Sequence, residues 1–233
     1  MANRITRHIP NTITCLNLFC GCVATYHGFS QDFDQALLFI VLGAVFDFFD
    51  GMAARLLNAH SIIGKDIDSL ADDITFGIAP ASIVFRWLQM YFFMGSGFAY
   101  IPYLAFLIAV FSGLRLAKFN NDSRQTSSFI GLPVPANALF WGSLIVGGTD
   151  TFWQQAYAPY LVVLLIPVSC WLLVSEIPMF SLKFKNLTWS DNKVRYIFLL
   201  VCIPLLLLFK LSGLAAIVVW FVVLSIFTQR KQS

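Results

Sequence analysis

The stretch FDFFDGMAARLLNAHSIIGKDIDSLADD, residues 46–73, sets closely spaced aspartates among apolar residues. Asp47 and Asp50 are three positions apart, and Asp68 and Asp72 are four apart. At these spacings two side chains lie on the same face of a helix. Two adjoining antiparallel helices can therefore bring four carboxylates to one place.

The composition of the chain is that of a membrane protein. Of 233 residues, 58% are hydrophobic and 12% are charged, whereas a soluble domain has about 25% charged residues. Apolar runs that can cross a hydrocarbon core of about 30 Å recur along the chain. They predict an all-α, polytopic bundle of about eight transmembrane helices, at residues 10–28, 35–57, 64–88, 98–118, 133–149, 157–176, 194–210 and 212–228.

We expect residues 1–233 to form a single integral membrane domain. Residues 1–9 have the character of a short basic interfacial helix. The catalytic helices are expected at about 10–150, with additional membrane helices at about 151–233. The first apolar run contains polar residues and is followed by no clear cleavage site, so we interpret it as a retained span and not as a signal peptide.

The basic residues indicate the orientation. If the amino terminus is cytoplasmic, only Arg86 and Lys210 of the 15 basic residues lie on the outer side. Such an excess of Lys and Arg on one side is typical of cytoplasmic loops. We therefore predict a protein of the cytoplasmic membrane with both termini and the acidic stretch on the cytoplasmic side. The inner residues are Arg4, Arg7, Arg55, Lys65, Arg115, Lys118, Arg124, Lys183, Lys185, Lys193, Arg195, Arg230 and Lys231.

Cysteines and outer aromatic residues have structural interpretations. All five cysteines fall in apolar runs without zinc-ligand spacing, which favours packing over disulfide or zinc roles. Several aromatic residues lie near the outer ends of the predicted spans, where such rings anchor helices in the headgroup layer. They are Trp87, Tyr91, Tyr100, Tyr103, Trp153, Tyr157 and Tyr160.

The acidic cluster itself predicts a metal site. Each aspartate at the centre of a membrane costs about 2.5–3.5 kcal/mol, and less near the interface. Arg55 and Lys65 are the only nearby cations, so crowded carboxylates need a bound cation between them. Oxygen ligands without histidine or thiolate select Mg²⁺, Mn²⁺ or Ca²⁺. Six of the twelve acidic residues belong to this stretch: Asp47, Asp50, Asp66, Asp68, Asp72 and Asp73.

Small residues beside the acids leave room for a phosphorylated ligand. Gly51 and Ala54 follow Asp47 by four and seven positions, and Gly64 precedes Asp68 by four, so all three share the acidic faces. Close packing of membrane helices is the other explanation for small residues. For the acids, the alternatives are interhelical salt bridges or a proton pathway.

The spacing Asp47-x-x-Asp50-Gly51-x-x-Ala54-Arg55, eight residues, then Gly64-x-x-x-Asp68-x-x-x-Asp72 resembles the signature of the CDP-alcohol phosphotransferases at every defining position. The flanking segments PNTITCLNLFCG (10–21), DSLADDITFGIAPA (68–81), GLRLAKFN (113–120) and FIGLPVPA (129–136) are similar to those of the branch that uses L-serine. The resemblance covers roughly the first 140 residues. One departure is Asp73, where relatives usually carry an apolar residue.

The resemblance implies a role for each matching residue. The four signature aspartates would bind one or two divalent ions, Mg²⁺ or Mn²⁺ with Ca²⁺ as a substitute, and Asp72 would also be the general base. For Asn11 and Thr14, helix capping and packing remain the alternative. The residues expected at the cytidine diphosphate are Asp47, Gly51, Ala54, Arg55, Gly64 and Asp68 and, from the first helix, Asn11 and Thr14.

The resemblance also implies the reaction and the partners. A phosphatidyl group would pass from CDP-diacylglycerol to the hydroxyl of L-serine with release of CMP, in a homodimer embedded in membrane lipid. Nothing in the sequence indicates nucleic-acid binding. Arg115 and Lys118 are candidates for the serine carboxylate or the lipid phosphate, with ordinary cytoplasmic flanking charge as the alternative.

Two other functions remain open from the sequence. The acceptor alcohol can instead be glycerol 3-phosphate or an inositol phosphate, although a dianionic acceptor calls for a denser basic cluster. A cation-coupled transporter is the alternative of a different class. It predicts broken helices with acids near the membrane midplane, whereas these acids lie at the inner ends of their spans.

Overall fold

The computed structural model of the protein describes residues 8–59, 62–92, 97–122, 129–148, 155–180 and 188–229. These residues are almost entirely helical. The helices are α1 His8–Phe29, α2 Phe33–Leu56, α3 Ile62–Asp72, α4 Ala79–Gln89, α5 Phe106–Asn121, α6 Val134–Gly147, α7 Ala158–Val174, α8 Trp189–Phe209 and α9 Gly213–Gln229.

Short elements connect or extend these helices. A π-helical segment, Asp73–Ile78, joins α3 to α4 in one continuous helical stretch, and a 3₁₀ turn, Ile101–Ala105, leads into α5. A second 3₁₀ turn, Lys210–Ser212, separates α8 from α9. Two short strands, β1 Phe129–Ile130 and β2 Pro178–Met179, form an antiparallel pair. Along the chain, β1 precedes α6 and β2 follows α7.

The protein is an all-α, polytopic membrane protein, as the sequence predicts. Every predicted span overlaps a helical stretch. By length and apolar composition, three stretches of the described residues can cross a membrane: Phe33–Leu56, Ile101–Asn121 and Asn192–Thr228. α6 and α7 are shorter apolar helices. The total of eight transmembrane helices therefore stays a prediction, and the interfacial helix expected at residues 1–9 lies mostly outside the described residues.

α1 and α2 form an antiparallel pair, in which α2 carries Asp47 and Asp50. The turn between them places Gln31 at a φ of 66°, and Asp32 accepts a hydrogen bond from the backbone N–H of Gln35 at the start of α2. α1 packs along α2 and also contacts α3, the π-helical segment and α4. The first helix therefore lies against both helices that carry the signature aspartates.

The main core is built around the π-helical segment and α4. Phe76, Ile83 and Leu88 are fully buried there, together with Ile40 of α2 and Trp141 of α6. The indole N–H of Trp141 donates to the hydroxyl of Ser169 on α7 at 3.2 Å, since a buried indole needs an acceptor. This core fixes α2, α4, α6 and α7 relative to one another.

α8 and α9 form a hairpin at the edge of the bundle. Lys210 adopts a φ of 49° where α8 ends, and a Cβ added at Gly213 would lie 2.7 Å from the carbonyl oxygen of Leu205. The hairpin packs through Val218 on a small second cluster that includes Leu132 and Met179. Large apolar residues of α8, such as Leu207 at 77% exposure, cover a surface that suits lipid.

The outer aromatic residues of the described ranges divide into two groups, and Trp153 lies outside those ranges. Tyr100, Tyr103, Tyr157 and Tyr160 are exposed, which fits the predicted anchoring role. Trp87 is buried and its ring centroid lies 4.6 Å from that of Tyr91, so it packs in the core and does not anchor the helix. All five cysteines are free, and Cys20 and Cys170 among them are buried.

The contact between α6 and the turn before α9 makes Gly147 sensitive to substitution. A side chain at this position would collide with the backbone of Ser212. We expect Gly147→Val to loosen the hairpin and to lower the free energy of unfolding by about 1–3 kcal/mol, the usual cost of overpacking.

Thermal unfolding in detergent measures this effect. Gly97→Val is the matched control, because an added Cβ at Gly97 meets nothing within 4 Å. Equal melting temperatures for the two variants would contradict the packing assigned to Gly147.

Candidate active site

Three carboxylates from two helices meet at the cytoplasmic end predicted for α2 and α3. One carboxylate oxygen from each of Asp47, Asp50 and Asp68 lies within 4.8 Å of the other two. Asp50 is buried, with 5% of its surface exposed, and the other two are half-buried. Asp47 and Asp50 of α2 therefore face Asp68 of α3.

Asp72 stands at the edge of this group. Its carboxylate interacts electrostatically with that of Asp47, and its Oδ1 accepts a hydrogen bond from the side-chain amide of Asn17 at 3.3 Å. Asn17 is fully buried on α1. The fourth signature aspartate thus touches both the carboxylate group and the first helix.

The donor set fits a hard divalent cation. Within the described ranges no lysine or arginine forms an ion pair with Asp47, Asp50, Asp68 or Asp72. Oδ2 of Asp50 is buried and has no hydrogen-bond partner. Carboxylates held this close repel each other unless a cation lies between them, and oxygen ligands of this kind suit Mg²⁺, Mn²⁺ or Ca²⁺.

A cleft of about 690 Å³ opens beside the carboxylates. Its volume is in the usual range for a small-molecule site, about 300–1,000 Å³. A Cβ added at Gly51 would meet nothing within 4 Å, so this glycine faces open space. Asp50, predicted as a metal ligand, lines the cleft, whereas Asp47 does not. The predicted nucleotide residues that line it are Asn11, Thr14, Gly51, Ala54, Arg55, Gly64 and Asp68.

Other lining residues were not predicted from the sequence. Pro10, Ala59, Lys65 and Asp66 also line the cleft, and Lys65 donates to the backbone carbonyl of Asn120 on α5 at 3.1 Å. Lys65 and Asp66 directly follow Gly64 of the signature, so their position in the sequence is enough to predict that they lie at the cleft.

Asn17 is the other residue that the sequence analysis did not assign. A polar residue recurs every three positions along α1, at Asn11, Thr14 and Asn17. In a membrane helix such a stripe faces the protein interior, and the structure places it toward the cleft and Asp72. The spacing of the polar residues in α1 was therefore the missed signal.

The two basic residues expected at the acceptor differ in their surroundings. Arg115 is 6% exposed, its Nε and Nη2 atoms have no hydrogen-bond partner, and its guanidinium interacts electrostatically with Asp72. Lys118 donates to Glu176 at 2.6 Å and to the carbonyl of Val174 at 3.1 Å. Neither residue lines the cleft, and Lys118 is already neutralised.

Residues that line the cleft have exposed apolar neighbours along α2 and α3, which we call the apolar rim. Leu56 at the end of α2 is 74% exposed, and Ile63 and Leu70 of α3 are 67% and 63% exposed. Exposed apolar residues next to a polar cleft mark a boundary between lipid and water. The carboxylates therefore lie where a ligand with both apolar and charged parts can be bound.

Comparison with known proteins establishes the family. The family model for CDP-alcohol phosphatidyltransferases matches residues 7–228. The chain belongs to the CDP-alcohol phosphatidyltransferase family. This result confirms the resemblance inferred from residues 46–73 and extends it through α9.

Curated relatives within the CDP-alcohol phosphatidyltransferase family share one description. A CDP-diacylglycerol–serine O-phosphatidyltransferase of Helicobacter pylori (strain 26695) is 32% identical over 203 residues, which are 86% of this chain and 81% of the relative. The enzyme of that description from Bacillus subtilis (strain 168) is 39% identical over 132 residues, 55% of this chain and 70% of the relative. The enzyme of that description from Saccharomyces cerevisiae is 37% identical over 146 residues, which are 55% of this chain and 50% of the relative.

Asp73, the departure from the usual CDP-alcohol phosphatidyltransferase pattern, lies apart from the carboxylate group. Its Oδ1 is buried without a hydrogen-bond partner, and it lies 3.4 Å from the position of a Cβ added at Gly113 on α5. Asp72 and Asp73 therefore face different helices, and Asp73 leaves the signature geometry unchanged.

The carboxylate group makes a direct prediction about metal affinity. Asp50→Asn removes a buried ligand charge, so we expect the affinity for Mn²⁺ to fall about tenfold or more, as for other losses at metal sites. Titration of Mn²⁺ by electron paramagnetic resonance measures the change. Asp34→Asn, an exposed aspartate on the same helix, is the control. An unchanged Mn²⁺ affinity in the Asp50 variant would contradict the assignment.

Proposed function

We propose that the protein is a phosphatidylserine synthase, an integral membrane enzyme that transfers the phosphatidyl group of CDP-diacylglycerol to the hydroxyl of L-serine and releases CMP. The observation that carries the proposal is the cluster of Asp47, Asp50 and Asp68, with Asp72 at its edge, beside a cleft of about 690 Å³. Family membership and relatives described as CDP-diacylglycerol–serine O-phosphatidyltransferases supply the reaction class and the acceptor.

Asp47, Asp50, Asp68 and Asp72 would hold one or two divalent ions, Mg²⁺ or Mn²⁺, with Ca²⁺ able to replace them in binding. When bound, such an ion neutralises charge on the diphosphate and helps CMP to leave. Two observations support this role: Oδ2 of Asp50 has no partner, and no lysine or arginine among the described residues is paired with these four aspartates.

The nucleotide part of the donor would occupy the cleft. Gly51, Ala54 and Gly64 leave space for the nucleotide to approach the helix backbone. Arg55 supplies a positive charge next to the phosphates. Asn11 and Thr14 offer side-chain hydrogen bonds from α1. The exposed apolar rim at Leu56 suits the diacylglycerol part of the same molecule.

Asp72 is the proposed general base. A serine hydroxyl is a weak nucleophile at neutral pH, so a carboxylate within hydrogen-bond reach must accept its proton as it attacks. The oxygen attacks the phosphorus that bears diacylglycerol, the bond from that phosphorus to the CMP oxygen breaks, and CMP leaves with the electron pair. Asp72 Oδ1 accepts a hydrogen bond from Asn17, so a contact with α1 holds the carboxylate in place.

Arg115 is the proposed anchor for the carboxylate of serine. A buried guanidinium with unpartnered donors is costly, and a carboxylate is the ligand that its geometry matches. Its electrostatic interaction with Asp72 supports a position near the base. Lys118 is the weaker candidate because Glu176 already pairs with it.

We also propose the cellular setting that the charge distribution predicts. Both termini and the active site would lie on the cytoplasmic side of the cytoplasmic membrane, since 13 of the 15 basic residues fall on that side of the predicted topology. The whole chain would act as one membrane domain and assemble as a homodimer.

An acceptor panel tests the function. Purified protein in detergent with Mn²⁺ and CDP-diacylglycerol is expected to release CMP with L-serine and to form phosphatidylserine, identified by mass spectrometry. Asp72→Asn should lower kcat by about 10²–10⁴, the usual contribution of a general base, while Asp34→Asn should not. Product from glycerol 3-phosphate or an inositol phosphate in place of serine would reassign the acceptor. Ion flux without turnover would indicate a transporter.

The role of Arg115 in binding the carboxylate of serine can be tested separately. Arg115→Gln removes the guanidinium charge, so we expect the KM for serine to rise about tenfold or more, as for loss of a charge-assisted hydrogen bond. The KM for CDP-diacylglycerol should stay within about twofold. Lys118→Gln is the matched control because an exposed ion pair contributes little. A larger effect on the serine KM in the Lys118 variant would reverse the assignment.

A further inference from the structure

We propose that Asn17 is a positioning residue that orients the carboxylate of Asp72 for proton transfer, an inference that rests on the proposed function. The side-chain amide of Asn17 donates to Oδ1 of Asp72 at 3.3 Å. Asn17 has no exposed surface. The contact reaches across 55 positions of the chain and joins α1 directly to the acidic face of α3.

Thr75, three positions after Asp72, holds the backbone of Asn17. Thr75 is fully buried in the π-helical segment, and its hydroxyl donates to the backbone carbonyl of Asn17 at 3.1 Å. Helical segments of this type are frequent at functional sites. One residue of α1 therefore contacts this stretch twice, through its side chain at Asp72 and through its backbone at Thr75.

Two glycines let the neighbouring segments pack closely around Asn17. A Cβ added at Gly43 would lie 2.9 Å from Oδ1 of Asn17, and one added at Gly21 would lie 2.9 Å from the Cα of Thr75. α2 and the π-helical segment thus pack directly onto the two sides of α1. The close approach of α2 at Gly43 therefore restricts the Asn17 amide beside Asp72.

Packing alone does not explain an amide at this position. Oδ1 of Asn17 is buried and has no hydrogen-bond partner, and an unpaired buried acceptor is unfavourable. An apolar residue of similar size would fill the same space without that cost. The contact that an asparagine adds is the donation to Asp72, which holds one carboxylate oxygen and directs the other.

The test compares Asn17→Leu with Thr75→Val in the full-length protein. Asn17→Leu keeps the size of the side chain and removes the donor. We expect kcat to fall tenfold or more, while the KM values for CDP-diacylglycerol and serine, and the rise in melting temperature on adding CDP with Mn²⁺, stay near those of the wild type. A purely structural role would change stability and ligand binding together with kcat.

Thr75→Val removes the other hydrogen bond of the junction and leaves the amide in contact with Asp72. We expect it to lower the melting temperature but to change kcat less than threefold. Asn17→Ser, which cannot overpack the site and whose hydroxyl is too short to reach Asp72, should reproduce the kcat loss if the leucine variant does not fold.

Distinct results would overturn the inference. Asn17 variants that keep kcat within twofold, or that lose kcat only as much as Thr75→Val, would exclude a positioning role. A KM for CDP-diacylglycerol that rises in proportion to the loss of kcat would assign Asn17 to donor binding. A wild-type protein that does not use serine would overturn the proposed function and this inference with it.

Discussion

Repulsion between carboxylates is the constraint on which the site depends. Asp47, Asp50 and Asp68 bring oxygens within 4.8 Å of one another, and Asp72 joins them at the edge. In the described part of the chain no basic side chain is paired with them. Such a group is stable at neutral pH only with a bound cation or with some of its members protonated. The helices must therefore tolerate a charge state that changes with ligand binding.

The surrounding bundle holds the helices of the site in place through close packing. Small residues let α1, α2 and the π-helical segment pack backbone to backbone at Gly21 and Gly43, a common device in membrane proteins. The large buried side chains, such as Phe76 and Trp141, lie in the main core. The polar group thus sits on a rigid support. The small-residue packing includes α2, which also carries Asp47 and Asp50.

Much of the fold and of the site could be predicted because both depend on local spacing. Helical periodicity fixed the faces of Asp47, Asp50, Asp68 and Asp72, and apolar length located the helices. Contacts between distant segments could not be predicted in this way. The pairing of Lys118 with Glu176, 58 positions away, and that of Asn17 with Asp72 depend on how helices pack. Burial of Trp87 depends on the same long-range packing.

The apolar rim formed by Leu56, Ile63 and Leu70 has a consequence for how a lipid substrate arrives. Lifting two acyl chains out of a bilayer costs about 0.8 kcal/mol for each methylene exposed to water, so extraction of a whole lipid is prohibitively slow. A donor that reaches the cleft across this rim never leaves the leaflet. Its encounter with the enzyme is then a search in two dimensions, governed by the surface density of the lipid and by lateral diffusion.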